Sequence, residues 1–311
     1  MNMKPRWMYL TLACVLLLSA CGGQATAPAD TGGVAAENKP AETIIYQSED
    51  GPVEVPAHPQ RVVVLSNFTG HVMALGVPLV GVDKWAKSNP RFSEALQNVA
   101  EVSDESLEKV MELEPDLIIG ESKTKNIEQF RRIAPTVTIS YGKTDYLSRF
   151  IEIGKLLNKE KEARAWIDDF QKRAKQAGEE IRAKIGEDAT VTVFESYEKA
   201  LYVFGDNWGR GTEIVYQEMK LGMPEKVKEH ALKEGYHMLS LEVLPEFAGD
   251  YMILSKDGSA DLSFQDTETY RNIPAVKNNR VFEVDARTFF YNDPVTLEYQ
   301  MEFITSRFLG K

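Results

Sequence analysis

Apolar residues first occur as short continuous runs separated by stretches with helical spacing. Runs typical of strands buried on both faces of a sheet occupy residues 61–65, 79–83, 116–120 and 136–140. Residues 70–77 and 126–134, which lie between such runs, have the spacing of short helices. Residues 43–56 alternate around a Glu-Asp-Gly turn, which predicts a hairpin. The first part of the chain is therefore predicted to be an α/β unit.

The longest helical pattern lies in the middle of the chain. From residue 160 to residue 185, apolar side chains recur in steps of three and four, and no proline interrupts them. Such a helix is about 40 Å long at the usual rise per residue. A single small lobe does not need a helix of this length, so we expect it to be a spacer between two lobes.

The alternation of strands and helices resumes after this helix. Strand-like runs occupy residues 190–196, 201–205, 251–255 and 280–285, and helical patterns occupy residues 212–221 and 294–309. The chain is therefore predicted to be an α/β protein of two α/β lobes joined by a single long α-helix. The predicted bounds are 43–158 for the N-terminal lobe, 159–186 for the interlobe helix and 187–311 for the C-terminal lobe.

Two segments of the chain repeat each other. Both begin Ser-Leu-Glu, at Ser106 and at Ser240, and both place an aspartate eight residues after the glutamate, before an apolar strand. Each serine is predicted to cap a short helix whose first turn carries Glu108 or Glu242, where the helix dipole favours an acidic side chain. The matching spacing favours duplication of the two lobes over chance similarity, and the repeat by itself assigns no role to the glutamates.

The first twenty residues have the pattern of a signal peptide. Lys4 and Arg6 precede an apolar run at 7–18, which is shorter than the roughly 20 residues that span a bilayer. The following Leu-Ser-Ala-Cys resembles the cleavage box of bacterial lipoproteins, which implies cleavage after residue 20 and a lipid on Cys21. An ordinary signal peptide and an uncut anchor are the alternatives. Residues 21–42 are rich in Gly, Ala and Pro and are predicted to be a flexible, lipid-anchored tether.

Composition excludes several classes of function. Of the two cysteines, Cys14 lies in the predicted signal peptide, so only Cys21 would remain, which excludes a disulfide framework and a cysteine-based metal site. A net charge of −11 argues against a nucleic-acid partner and against a basic membrane-binding patch. The four histidines have no metal-ligand spacing, and no nucleophile or Walker motif is present, so the protein is predicted not to be an enzyme.

The segment GDNWGRG, residues 205–211, is the most distinctive candidate for a binding site. It lacks the Lys-Ser/Thr ending of a phosphate loop and places a bulky Trp208 where a phosphate would need to approach the backbone. An indole and the guanidinium of Arg210 on one loop instead suit a ligand with an apolar body and an oxygen-rich centre. The alternative is a structural tryptophan in the core, with Arg210 capping a carboxylate.

Several of these features together resemble the iron–siderophore substrate-binding lipoproteins of ABC importers. The resemblance rests on the lipoprotein signal, GPVEVPAHPQRVVVL at 51–65, LEPDLII at 113–119, the long central helix and the paired Ser-Leu-Glu segments. It implies a class III periplasmic-binding-protein fold, with the ligand in a cleft between the lobes. The narrower NWGRGTE motif resembles the hydroxamate binders of Gram-positive bacteria, of the ferrichrome and ferrioxamine type.

The resemblance also implies roles for individual residues. Arg210 would donate hydrogen bonds to the hydroxamate oxygens around Fe(III). The other ligand-binding candidates are aromatic: Trp208, Tyr202 and Tyr291 from the second lobe, and Tyr141 and Trp85 from the first. For Tyr141, Tyr291 and Trp85, a surface aromatic without a role is the alternative. Glu108 and Glu242 would dock against arginines of the two-fold symmetric permease dimer.

The resemblance therefore implies a monomeric, lipid-anchored receptor on the extracytoplasmic face of the cell membrane that delivers ferric hydroxamate siderophores to an ABC permease. No cofactor or protein metal ligand is expected, because the siderophore already surrounds the iron with oxygen atoms. A haem binder should offer an axial ligand, and a catecholate binder should offer several converging cations. A receptor for another iron chelate, haem or cobalamin remains an alternative, as does a glycan-binding surface lipoprotein that stacks the same aromatics on sugar.

Overall fold

The structure is a computed structural model that describes residues 42–198 and 200–311. The predicted signal peptide, the lipidation site Cys21 and nearly all of the predicted tether lie outside the described residues. Among the residues that are described, no helix is both long and apolar enough to cross a membrane.

The described strands fall into one hairpin and two sheets. They are β1 Thr43–Ser48, β2 Gly51–Pro56, β3 Val62–Val64, β4 Leu79–Val82, β5 Ala100–Glu101, β6 Leu117–Glu121, β7 Thr136–Ile139, β8 Val191–Tyr197, β9 Ala200–Phe204, β10 Tyr236–Leu239, β11 Tyr251–Lys256 and β12 Val281–Asp285. The predicted hairpin is the antiparallel pair β1–β2. The first sheet has the order β5-β4-β3-β6-β7 and the second has the order β10-β9-β8-β11-β12.

Helices connect most of these strands. They are α1 Thr69–Ala74, α2 Lys84–Ser88, α3 Leu107–Glu112, α4 Ile127–Phe130, α5 Tyr146–Leu156, α6 Glu160–Ile185, α7 Glu225–Ala231, α8 Leu244–Phe247, α9 Glu268–Arg271, α10 Pro274–Lys277, α11 Ala286–Phe289 and α12 Pro294–Leu309. A π-helical segment, Glu213–Glu218, and a 3-10 turn, Ser263–Asp266, complete the described helical structure. We refer to the chain before α6 as the first half and to the chain after α6 as the second half.

The long helix α6 joins the two halves through its apolar stripe. Ala163 and Ile167, near its start, belong to the hydrophobic core of the first half. Phe170, Ala174 and Ile181, farther along, belong to the core of the second half. One amphipathic face therefore contributes to both cores in succession. This arrangement confirms the predicted fold class of two α/β lobes joined by one long helix.

The repeated Ser-Leu-Glu segments differ from the prediction in detail. Ser106 stands at the start of α3, but its side chain makes no capping bond to the helix. Its hydroxyl instead accepts a hydrogen bond from Ser103 N at 3.0 Å. In the second segment the helix α8 begins only at Leu244, so Ser240 lies outside it. The prediction that both serines cap a helix is wrong, because hydrogen bonds within local turns occupy their hydroxyls instead, with Ser103 for Ser106 and with Glu242 for Ser240.

Candidate functional site

The main candidate site is a cavity of about 620 Å³ between the two halves. From the first half it is lined by Asn67, Trp85 and Ser88, which follow the carboxyl ends of β3 and β4. From the second half, Asp257 and Arg287 follow β11 and β12 in the same way. Ligands of open α/β sheets bind at this end of the strands. Five of the six predicted ligand residues line this cavity: Trp85, Tyr202, Trp208, Arg210 and Tyr291.

Arg210 is fixed by a buried carboxylate. Its Nη2 donates to Glu195 Oε1 at 2.8 Å, and its Nε lies 3.1 Å from Oε2 of the same side chain. Glu195, on β8, is 3 % exposed and also accepts a hydrogen bond from Ser255 Oγ at 3.0 Å. The pair compensates two charges that would be costly to bury separately. Arg210 thus does cap a carboxylate, as the structural alternative required, but it does so from the wall of a cavity.

Two aromatic rings pack against the guanidinium of Arg210. Its Cζ lies 4.8 Å from the ring centre of Phe204 and 4.2 Å from that of Phe290. Nη1 donates to the carbonyl of Trp208 at 3.1 Å. An arginine side chain has five N–H donors. Within the described part of the chain, these bonds account for three of them and leave one on each terminal nitrogen. Arg210 therefore offers a rigid pair of donors.

Trp208 lies on the surface of the cavity rather than in the core, with 41 % of its surface exposed. Its ring packs on Gly235, where a Cβ atom would collide with the indole. The ring also lies 5.4 Å from that of Tyr236, which in turn contacts the ring of Tyr202 edge-on at 6.2 Å. The three aromatics form a continuous wall on one side of the cavity.

The loop that carries Trp208 and Arg210 follows an unusual backbone path. Gly209 and Arg210 have φ values of +71° and +58°. A Cβ atom on Gly209 would collide with the carbonyl oxygen of Phe290, so only glycine allows the loop to pack against that segment. The glycine before Arg210 in the GDNWGRG motif is thereby explained by close packing, not by a bound phosphate.

Tyr291 and Trp85 line the same cavity from opposite halves. The ring of Tyr291 stacks on that of Phe92, from the first half, at 6.4 Å. Burial raises the pKa of the Tyr291 phenol, and the nearby carboxylates of Asp83 and Asp293 raise it further. The phenol is therefore a neutral hydrogen-bonding group at any physiological pH. Trp85 is highly exposed on α2, and the Nζ of Lys84 lies 5.2 Å from its ring centre.

Tyr141 lines a neighbouring cavity instead. This second cavity measures about 1170 Å³ and shares Trp208 with the first. The ring of Tyr141 packs on the guanidinium of Arg149 at 4.5 Å. Burial raises the pKa of the Tyr141 phenol, and the positive charges of Arg149 and Arg210 partly oppose the rise. Tyr141 therefore lies within electrostatic range of Arg210, although the two side chains line different cavities.

Several residues of the site are not predicted from the sequence. Those that line the 620 Å³ cavity and were not predicted include Glu195, Phe204, Tyr236, Arg287 and Phe290. Glu195 is the charged residue in the otherwise uncharged strand β8, and a charge at a buried strand position points to a buried partner. Tyr236 and Phe290 carry no local signal, since contacts distant in sequence bring them to the cavity. Among the described residues, no cluster of His, Cys, Asp and Glu has the arrangement of a metal site.

The predicted docking residues lie away from the cavity linings. Glu108, on α3, and Glu242, in the turn before α8, are both exposed. The hydroxyl of Ser240 lowers the pKa of Glu242 by hydrogen bonding, so this carboxylate stays ionised. Their exposure leaves both side chains accessible to a protein partner.

Comparison with known proteins gives a single family. Residues 62–288 match the family described as periplasmic binding protein. The chain is 35 % identical to the iron(3+)-hydroxamate-binding protein FhuD of Bacillus subtilis, over 96 % of this chain and 95 % of that protein. It is also 35 % identical to the iron(3+)-hydroxamate-binding protein YxeB of the same organism, over 99 % and 98 %. The solved structure of Staphylococcus aureus FhuD2 with bound ferrioxamine B superimposes with a TM-score of 0.77 at 33 % identity, covering 81 % of this chain and 99 % of that one.

Proposed function

The chain belongs to the periplasmic binding protein family, and on that premise we propose that it captures a ferric hydroxamate siderophore and delivers it to an ABC permease. In this proposal the protein binds and releases its ligand without changing it chemically. The observation that carries the proposal is Arg210, which packs against Phe204 and Phe290, is fixed by Glu195 and keeps two N–H donors for a ligand. Hydroxamate oxygens around Fe(III) are suitable acceptors for this pair.

The charge of the cavity supports a ligand of low net charge. Arg210 and Arg287 line it together with Glu195 and Asp257, so the cations and carboxylates are equal in number. Arg287 is moreover paired with Asp285 at 2.6 Å. Three hydroxamates around Fe(III) form a neutral complex, which enters such a cavity without an uncompensated charge. A triply negative catecholate complex would lose its hydration without gaining enough cations.

The aromatic wall supports the same ligand class. Trp208, Tyr236 and Tyr202 offer apolar surface with polar edges, which suits the hydrocarbon spacers of a hydroxamate siderophore. We assign ligand contact to Trp208, Arg210, Tyr202, Tyr291 and Trp85.

Tyr141 is assigned to a different part of the ligand from the other aromatic residues. It would meet the part of the ligand that extends into the second cavity, beside Trp208.

The remaining parts of the proposal concern delivery. Glu108 and Glu242 are assigned to contacts with the permease, one from each half, where a two-fold symmetric partner would meet both. A lipid on Cys21 would hold the monomeric receptor at the extracytoplasmic face of the membrane. The exposed position of both glutamates supports the assignment.

Titration of tryptophan fluorescence tests the ligand class. The purified protein should show saturable quenching with ferric ferrioxamine B or ferrichrome. Ferric enterobactin, haem and cobalamin, titrated in parallel, should bind far more weakly. Saturable binding of haem or cobalamin, with no response to either hydroxamate, would overturn the proposed ligand. Arg210→Lys should weaken hydroxamate binding, whereas the control Arg280→Lys should not, because Arg280 packs on the ring of Tyr251 outside the cavity.

A further inference from the structure

A second buried arginine lies behind the loop that carries Trp208 and Arg210. Arg149, on α5 of the first half, is 2 % exposed. Its Nη2 donates to Asn292 Oδ1 at 2.8 Å, so its direct partner is a neutral amide rather than a carboxylate. A buried cation is costly unless an anion compensates it. The compensating anion is found one residue farther along the hydrogen-bond chain.

Asn292 links Arg149 to Glu213, which belongs to the second half. Its Nδ2 donates to Glu213 Oε1 at 2.8 Å, and Glu213 is 1 % exposed. The amide can satisfy both charges in only one orientation, with its oxygen toward the cation and its nitrogen toward the anion. Arg149, Asn292 and Glu213 therefore form one buried chain between the halves, which we call the relay.

The relay ends at the backbone of the loop that carries Trp208 and Arg210. The same Glu213 Oε1 accepts a hydrogen bond from Gly209 N at 2.9 Å. Thr212 Oγ1 donates to Gly209 O at 2.8 Å and accepts from Trp208 N at 3.2 Å. The carboxylate thus fixes the peptide directly between the two side chains assigned to the ligand. This accounts for the Thr and Glu that close the NWGRGTE motif.

We propose that Arg149 and Asn292 are positioning residues for the ligand, which hold the loop 205–212 through Glu213. In this arrangement the first half sets the orientation of Trp208 and Arg210, although both belong to the second half. Without Arg149, the Asn292 amide loses the partner that fixes its orientation. Glu213 is then left as a buried anion without compensation, and its hold on Gly209 weakens. The consequence for binding rests on the proposed function, whereas the structural step does not.

Amide hydrogen exchange of the ligand-free protein tests the structural step. Arg149→Met should speed exchange in the peptide that covers residues 205–212, where Gly209 N–H is bonded to Glu213. Arg173→Met is the matched control, because Arg173 bridges α6 to Glu298 on α12 with two bonds of 2.6 and 2.8 Å. The control should leave this peptide unchanged. Equal exchange of the peptide in the wild type and in Arg149→Met would overturn the proposal.

A second variant keeps the test decisive if Arg149→Met does not fold. Arg149→Met combined with Glu213→Gln removes both buried charges together and should restore folding. Exchange at 205–212 should still exceed that of the wild type, because a neutral amide accepts the Gly209 N–H more weakly than a carboxylate does. Wild-type exchange in this double variant would also overturn the proposal.

A double-mutant cycle tests the consequence for binding. Arg149→Met should weaken ferric ferrioxamine B binding about tenfold in the wild-type background and by a clearly smaller factor in the Arg210→Ala background, where only the effect through Trp208 remains. Equal factors in the two backgrounds would show that Arg149 does not act through Arg210. If the wild type does not bind any hydroxamate, the proposed function fails, while the exchange experiment still decides the relay. If it binds but exchange does not differ, the relay alone fails.

Discussion

The two halves of the molecule share one sheet order but differ in strand direction. β3 in the first sheet and β8 in the second occupy equivalent central positions, each with a parallel neighbour, β6 or β11. In the first half, helix α1 connects β3 to β4, and the two strands are parallel. In the second half, β8 turns directly into β9, and the two are antiparallel.

This difference coincides with the binding site. The antiparallel pairing places Tyr202 opposite Glu195, so the aromatic and the carboxylate lie side by side. The chain then leaves β9 through the loop that carries Trp208 and Arg210. Most of the cavity wall therefore comes from the half in which the duplicated pattern changes. The elements that both halves share, which we call the frame, support the site. The segment in which the second half differs forms most of the wall of the cavity.

The repeated aspartates belong to the frame. Asp116 accepts hydrogen bonds from Gln60 N at 2.6 Å and Arg61 N at 2.9 Å, just before β3. Asp250 accepts from Thr190 N at 2.8 Å and from its hydroxyl at 3.0 Å, just before β8. Each carboxylate thus fixes the chain at the start of its central strand. The spacing that drew attention to the glutamates has a structural reason in the aspartates.

The largest effect is expected from the removal of Arg210, which lies in the loop that only the second half has. Arg210→Ala should weaken ferric ferrioxamine B binding about 100-fold, since losing a buried charged donor costs roughly 2–5 kcal/mol. It should also lower the free energy of unfolding by about 3 kcal/mol, because Glu195 stays buried without its partner. Arg210→Lys should retain most of the stability but little of the affinity. Calorimetric titration and urea unfolding measure both quantities, and unchanged affinity in Arg210→Ala would contradict the site.

The next effect concerns a property that the two halves are proposed to share. Glu108→Ala with Glu242→Ala should reduce uptake of radiolabelled ferric siderophore at least about tenfold while leaving the dissociation constant unchanged. Each single variant should give an intermediate and similar loss, because a two-fold partner treats both contacts alike. Glu112→Ala with Glu246→Ala, which alters neighbouring exposed glutamates, is the matched control. Normal uptake in the Glu108 and Glu242 double variant would refute the docking assignment.

A smaller effect tests whether the two equivalent aspartates contribute equally to the free energy of unfolding. Asp116→Ala and Asp250→Ala should each lower the free energy of unfolding by about 1–2 kcal/mol, because each removes a carboxylate that accepts two hydrogen bonds at the start of a strand. Denaturant titration of both variants measures the loss, and ligand affinity should be unaffected. A loss confined to one variant would show that the equivalence is only geometric.

The smallest effect belongs to α1, the connection that the second half lacks. His71 is buried on this helix, and burial, aided by the charge of Arg149, lowers its pKa well below the usual value of 6.5. The unfolded chain takes up a proton at His71 as the pH falls through about 6.5, while the folded protein does not. The stability that neutral His71 contributes is therefore full above that pH and is lost on acidification.

His71→Leu tests this pH dependence. Between pH 7 and pH 5.5 the variant should lose about 1 kcal/mol less of its free energy of unfolding than the wild type does. Urea titrations at the two pH values measure the difference. The same loss in both proteins would mean that His71 takes up a proton in the folded state.

Much of the frame was predictable from the sequence, because buried strands and long amphipathic helices are marked by local patterns. The central helix, predicted at 160–185, is observed at Glu160–Ile185, and the last helix coincides with the predicted 294–309. The direction of β9 was not predictable, since its apolar run reads the same in a hairpin as after a crossover. The edge strand β10 and the helix α5 were missed, and with them Tyr236 and Arg149.

The site was predictable only where its residues lie in one motif. Trp208 and Arg210 are neighbours in a distinctive loop, whereas Glu195, Phe290 and Asn292 reach that loop through contacts distant in sequence. The serine caps were predicted wrongly because turn hydrogen bonds compete with helix caps for the same hydroxyl groups.

The central claim is that Arg210 faces the iron of a bound hydroxamate complex, and an iron anomalous map of crystals grown with ferric ferrioxamine B tests it directly. We expect one iron peak in the 620 Å³ cavity, with hydroxamate oxygens about 2.9 Å from Nη1 and Nη2 of Arg210. An iron peak in the neighbouring cavity, beside Tyr141 and Arg149, would contradict it.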